Sequence, residues 1–220
     1  MTQDTIRHHL TDALLMAYSA GSLPEAFSLT VAAHISMCDE CRARLGAFDS
    51  LGGALIERCD RAEMASNSLE ATLARIEAGD VPVAPIRYPS RPDRGVLPAP
   101  LRDYVGGDLD AVRWRPVGMG VKQAILPTAG DAMARLLYIP AGAAVPDHGH
   151  NGTELTLVLK GAFEDEVDRF GPGDIEVADE ELDHTPVADI GADCICLAAT
   201  DAPLRFRSLL PRLAQPFLRI

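Results

Sequence analysis

Lysine is almost missing from this chain: Lys122 and Lys160 are the only two in 220 residues. Basic side chains number 20 against 32 acidic ones, for a formal net charge of −12. Nucleic-acid binding needs a basic surface against the phosphates, so the composition argues against direct nucleic-acid contact. A basic protein partner remains compatible with it. Long apolar runs are missing as well. No stretch reaches the roughly 18 residues of a membrane span, and no signal-peptide pattern opens the chain. A soluble cytoplasmic protein without membrane contact is the expectation. The five cysteines are an odd number without the spacing of a disulfide framework, and reduced thiols fit that compartment. No internal repeat is evident.

What is present begins with His34-Ile-Ser-Met-Cys38-Asp-Glu-Cys41. His34 and Cys38 are four apart, one turn along the same helix face. Cys38 and Cys41 have the C-x-x-C spacing that lets two thiolates grip one ion. A redox pair or two buried cysteines are the alternatives, but a redox C-x-x-C usually follows a strand, and none precedes this one. Zinc takes four ligands, so a fourth is expected from another element. Arg7-His8-His9 is the nearest source; His9 is preferred to His8, and spacing leaves both open.

Four short helices are expected in residues 1–80. The first lies near 6–20 and ends at Gly21. The second is capped by Ser22 with Pro24 in its first turn, and the third starts at Asp39 or Glu40. The fourth runs from about Ser66 with Leu69, Leu73 and Ile76 on one stripe and ends at Gly79. Their thin core makes a metal staple plausible. Pro82, Pro85, Pro89, Pro92, Pro98 and Pro100 mark residues 81–108 as an extended linker. From 109 to 220, short apolar runs separated by Gly and Pro predict an all-β sandwich or barrel: Ala111–Pro116, Val121–Leu126, Arg135–Ile139, Glu154–Leu159, Asp174–Ala178, Cys194–Ala198 and Leu204–Leu209. The fold class is a two-domain α + β chain, a small N-terminal helical bundle with structural zinc followed by a C-terminal all-β domain.

A second ligand set sits in the β region. His148 and His150, two apart, face one side of a strand, and Glu154 follows four residues on. His184 comes after a Gly171-Pro-Gly173-Asp174 turn that brings the chain back. Three imidazoles and a carboxylate suit a divalent transition metal; the bland reading is a pair of surface histidines. Cys194 and Cys196 share a strand face, as core fillers or as redox thiols.

The run from Gly142 through His148-Gly-His150 and Glu154 to Gly161 resembles the first cupin motif at every fixed position. His184 and the Pro172-Gly-Asp174 turn match the second, although Asp179, Glu181 and Ala188 stand where cupins usually have Pro, Gly and Asn. The resemblance implies a double-stranded β-helix barrel. His34-x-x-x-Cys38-x-x-Cys41 in a helical N-terminal region resembles the zinc-binding anti-sigma factors. Joined to a cupin, and with Arg7-His8-His9, Ala26-Phe27-Ser28-Leu29 and Cys38-Asp-Glu-Cys-Arg-Ala-Arg44, the chain is similar to their ChrR type over nearly its whole length. That resemblance implies Zn2+ on His9, His34, Cys38 and Cys41. It implies Zn2+ or another divalent transition metal on His148, His150, Glu154 and His184. It also implies a non-enzymatic regulator that holds an extracytoplasmic-function sigma factor away from RNA polymerase, with the cupin needed for the response to singlet oxygen. The alternative is a cupin metalloenzyme, a dioxygenase or isomerase with a zinc-stapled accessory domain. A zinc-finger DNA binder is disfavoured by the acidity.

Overall fold

The computed structural model describes residues 5–79, 95–206 and 215. A helical N-terminal region is followed by an antiparallel β region, as the expected fold class has it. One compact unit comprises Met1–Gly52 and Gly95–Ile220, and the other Gly53–Arg94. Among the described residues no helix is long and apolar enough to cross a membrane.

Helix α1 (Asp12–Ser19) starts where the Thr11 side chain accepts the Leu14 N–H. It is shorter than the spacing predicts. Residues 7 and 8 run instead against the β region: the Arg7 and His8 N–H groups donate to Asp174 Oδ1 at 2.6 and 2.9 Å, and Ile175 N–H donates to the His8 carbonyl. Helix α2 (Glu25–Met37) is preceded by Pro24 rather than capped by Ser22, whose hydroxyl donates to the Ala17 carbonyl. Extended backbone at Cys38 separates α2 from α3 (Asp39–Glu57). In the second unit, α4 (Ser68–Glu77) buries no side chain.

Of the expected linker, residues 81–94 lie outside the described residues. Its C-terminal part forms α5 (Ala99–Val105), with Pro98 before it and Pro100 in its first turn. The first N–H groups of a helix have no intrahelical partner, so proline is tolerated there. Tyr104 Oη donates to Glu25 Oε1 at 2.5 Å, tying α5 to the start of α2.

The main sheet has six antiparallel strands, β1 (Arg115–Gly118), β2 (Val121–Ile125), β3 (Met133–Ile139), β5 (Glu154–Lys160), β8 (Ile175–Ala178) and β11 (Cys194–Thr200), in the order β1-β2-β3-β11-β5-β8. Short strands make two further sheets. One is β10 (Val187–Ala188), β6 (Phe163–Glu164) and β7 (Arg169–Phe170); the other is β12 (Arg205–Phe206), β4 (His148–Gly149) and β9 (Asp183–His184). Residues 207–209 of the expected last strand lie outside the described residues.

The main sheet is buried on both faces. One face, with Leu136, Leu155, Leu157 and Leu197, shares a core with Leu15, Phe27, Val31 and Leu101 of the helices. The other, with Val121, Ile139, Val158, Cys194 and Cys196, packs with Phe163 and Phe170. This is why β11, Cys-Ile-Cys-Leu-Ala-Ala-Thr, reads as a nearly continuous apolar run rather than as an alternation. At Gly173, φ is +91° and a Cβ would lie 2.5 Å from Ile6, so glycine lets the N-terminal segment cross the β7–β8 turn.

Candidate metal centres

His9, His34, Cys38 and Cys41 bring one ligand atom each to within 4.8 Å of one another. His9 arrives from the extended segment, His34 from the last turn of α2, Cys38 from the break and Cys41 from the first turn of α3. His9 Nδ1 lies 3.3 Å from Cys38 Sγ and 3.7 Å from Cys41 Sγ. A tetrahedron with bonds of about 2.0 Å to nitrogen and about 2.3 Å to sulfur has an N···S edge of about 3.5 Å, so the spacing fits zinc.

The burial fits as well. His34 is wholly buried, and neither of its ring nitrogens has a hydrogen-bond partner; buried polar atoms without partners are costly. Burial lowers its pKa to about 4, so it is a neutral imidazole with a lone pair to give. Burial pushes the Cys41 thiol up to about 11, so a cation is needed to hold it as thiolate. His9 Nε2 lies 3.3 Å from Glu40 Oε2, a carboxylate that orients the ring. His8 turns away: its ring packs on Phe170 at 4.4 Å and its Nε2 lies 3.1 Å from Asp168.

In the β region the register pairs His148 with His184 across β4 and β9. His184 Nε2 lies 3.2 Å from His148 Nε2 and 3.3 Å from His150 Nε2. Nitrogens bonded to one ion at about 2.0–2.1 Å stand roughly 3.0–3.4 Å apart, so the three histidines fit a shared ion. Burial lowers the pKa of His148 and His150. His148 Nδ1 is 2.9 Å from the Pro146 carbonyl, which fixes the tautomer that leaves Nε2 free to coordinate. Glu154 is buried beside them. Its Oε2 is 3.7 Å from His150 Nδ1, and its Oε1 accepts from the Thr156 hydroxyl at 2.9 Å.

Sequence reasoning missed the carboxylates behind His184. Its Nδ1 lies 2.8 Å from Asp165 Oδ2 and 3.2 Å from Glu176 Oε1, and the three form a further potential ligand group. Burial acts to lower the His184 pKa, and the two carboxylates overcome it, raising it to about 9. Burial raises Glu176 to about 7. Glu176 was signalled only by being the one acid within an apolar strand, and Asp165 was lost in the acidic run 164–168. Asp174, expected to close the turn and open the strand Asp174–Ala178, also anchors residues 7 and 8.

A family model described as the ChrR cupin-like domain matches residues 103–202. The anti-sigma-E factor ChrR of Cereibacter sphaeroides is 63% identical over 216 residues, 98% of this chain and 100% of that protein. The crystal structure of Rhodobacter sphaeroides SigE in complex with the anti-sigma ChrR superposes with a TM-score of 0.80 at 60% identity, covering 90% of this chain and 100% of that one.

Proposed function

The chain belongs to the family of the anti-sigma factor ChrR, and from that premise we propose that it sequesters an extracytoplasmic-function sigma factor through its zinc-stapled helical region. The relative in the crystal structure is bound to SigE, and a sigma factor of that kind is the partner proposed here. The carrying observation is the convergence of His9, His34, Cys38 and Cys41 on one point. Zinc held there supplies a four-way cross-link. The four side chains fix the extended N-terminal segment, the end of α2 and the start of α3 against one another, and a closed set of this kind contributes folding energy. The partner surface is proposed on the apolar stripe of α4, where Leu69, Leu73 and Ile76 are all exposed. A helix with an exposed apolar face is suited to a protein partner.

The proposal keeps the expected division of labour. Residues 1–80 hold the sigma factor, 81–108 connect, and the cupin of 109–220 is needed for the response to singlet oxygen. In the β region, His148, His150 and His184, with Glu154 beside them, hold Zn2+ or another divalent transition metal. The site of action is the cytoplasm, where the polymerase is, with no direct nucleic-acid or membrane contact. The test is transcription in vitro from a promoter read by the sigma factor. Full-length protein should block it at equimolar amounts, and failure to inhibit at a tenfold excess would sink the proposal.

The convergence of three imidazoles beside a cavity also supports a second reading, a cupin metalloenzyme of the dioxygenase or isomerase class. Metal-dependent turnover lost in His148→Ala would favour it over the regulator.

A further inference from the structure

Both metal centres touch one short piece of backbone, the turn Gly171-Pro-Gly173-Asp174 and the strand β8 that follows it. On the zinc side, three of the four ligands reach that turn, directly or through a chain neighbour. Before His9, the Arg7 and His8 N–H groups donate to Asp174 Oδ1, and the His8 carbonyl accepts from Ile175 N–H. Before Cys38, Met37 lies over Gly173, where a Cβ would stand 3.8 Å from its Cε. His34 is close enough to Gly173 and Asp174 for both to act against the burial that lowers its pKa.

On the other side, β8 leads to the histidines. It is the last strand of the main sheet and pairs there with β5 alone, so its outer edge is open to the N-terminal segment. Two residues beyond Asp174, Glu176 Oε1 lies 3.2 Å from His184 Nδ1. Two further on, Ala178 pairs with Glu154. Asp174 to Ala178 spans about 13 Å of extended chain. The Gly173 N–H donates to the Val158 carbonyl and the Val158 N–H to the Asp174 carbonyl, so the turn is fixed to β5, which begins at Glu154.

His184 is where occupancy of the β-region site is felt. Its Nε2 lies 3.2 Å from that of His148 and 3.3 Å from that of His150. Imidazole lone pairs this close repel unless an ion or a proton lies between them. Emptying the site lets His184 shift against Glu176, and so against β8.

We propose that the start of β8 couples the two metal centres: occupancy of His148, His150 and His184 keeps Arg7 and His8 clipped to Asp174 and thereby tightens the hold of His9, His34, Cys38 and Cys41 on their ion. The clip, closed or open, is the element that both centres bias. The coupling is reciprocal, and couplings of this kind are typically about 5–150-fold in affinity. It rests on the zinc site of the proposed function, but the two fail separately. A chain that blocks transcription without coupling sinks the coupling alone; one that is coupled without blocking transcription sinks the function alone.

The test uses the full-length chain loaded with cobalt(II), whose thiolate-to-cobalt absorption reports on Cys38 and Cys41. Affinity at that site is read by chelator competition in a double-mutant cycle. His150→Ala, which removes a ligand of the β-region site, should weaken cobalt at the thiolates at least about fivefold. In the Asp174→Asn background, where the clip is already open, His150→Ala should change it less than about twofold. No effect of His150→Ala in the otherwise unsubstituted chain would overturn the proposal. So would an equal effect in both backgrounds, which is what general loss of folding produces. The unsubstituted protein gives a second measurement, hydrogen exchange at the Arg7 and His8 amides before and after removal of the β-region ion alone, with the thiolate absorption intact. Exchange at least about fivefold faster after removal is expected, and an unchanged rate would overturn the proposal.

Discussion

Cys41 shows how far the N-terminal site depends on an ion. It is wholly buried and its thiol is pushed to about 11 by that burial, yet it lies 3.7 Å from an imidazole nitrogen suited to the same ion. Binding an ion releases the thiol protons, and for structural zinc sites the apparent gain is roughly 10–16 kcal/mol. Cys41→Ser in the full chain is expected to remove about one zinc per chain by elemental analysis and to cost more than about 3 kcal/mol of stability in thermal unfolding. Unchanged zinc content would show that Cys41 is not a ligand. In the β region, Asp165 holds the Nδ1 side of His184. Asp165→Asn should weaken metal retention about 10–100-fold in chelator competition, the usual cost of losing a carboxylate behind a metal-binding histidine. An unshifted competition curve would leave Asp165 without that role.

At the scale of elements, the N-terminal segment is tied to the turn before β8. Asp174 Oδ1 accepts both the Arg7 and His8 N–H groups, and its Oδ2 accepts Gly171 N–H at 2.8 Å. Burial acts to raise the Asp174 pKa, but these donors outweigh it and the value lies below the ordinary carboxylate range. A lowered folded-state pKa means that the stabilisation is present above the unfolded value of about 3.9 and is lost as pH falls through the lower folded value. Asp174→Asn should therefore cost about 1–3 kcal/mol at neutral pH and flatten the stability profile below about pH 4. An unchanged acid limb would contradict this. His9 directly follows the tied residues, so the same variant should also release zinc faster.

These elements mark where sequence reading succeeds and where it stops. Helices α2 to α4 and the six strands of the main sheet carry enough residues for their patterns to be visible. The strands β4, β6, β7, β9, β10 and β12 have two residues each, too few for any period to show. The helical spacing of Leu10, Leu14, Ala17 and Tyr18 extends the expected first helix back to residue 6, across residues 7 and 8. Their backbone donors go instead to a carboxylate more than 160 positions away, a long-range bond that no local pattern reports. The ligand histidines and cysteines were legible because the chemistry fixes their spacing. Asp165 and Glu176 were not, since a carboxylate behind a ligand needs only proximity in space.

For the whole molecule, the question is what the exposed apolar residues of the second unit are for. Leu69, Leu73 and Ile76 are 67%, 49% and 58% exposed, so the fold of the chain alone does not need them. Leu69→Asp with Leu73→Asp should leave the melting temperature nearly unchanged, since exposed substitutions usually stay within about 0.5 kcal/mol each. The same pair should weaken a sigma factor complex at least a hundredfold. A large loss of stability would place the stripe in the fold rather than in an interface.

The central claim is that the ion at His9, His34, Cys38 and Cys41 shapes the part of the chain that grips the sigma factor. Its most direct measurement is the affinity of the full-length protein for that sigma factor, read together with zinc content, in the unsubstituted chain and in Cys38→Ser with Cys41→Ser. The account predicts a tight one-to-one complex with the zinc-bearing protein and a loss of at least a hundredfold when the thiols and the zinc are gone. Undiminished affinity in the zinc-free variant would contradict it.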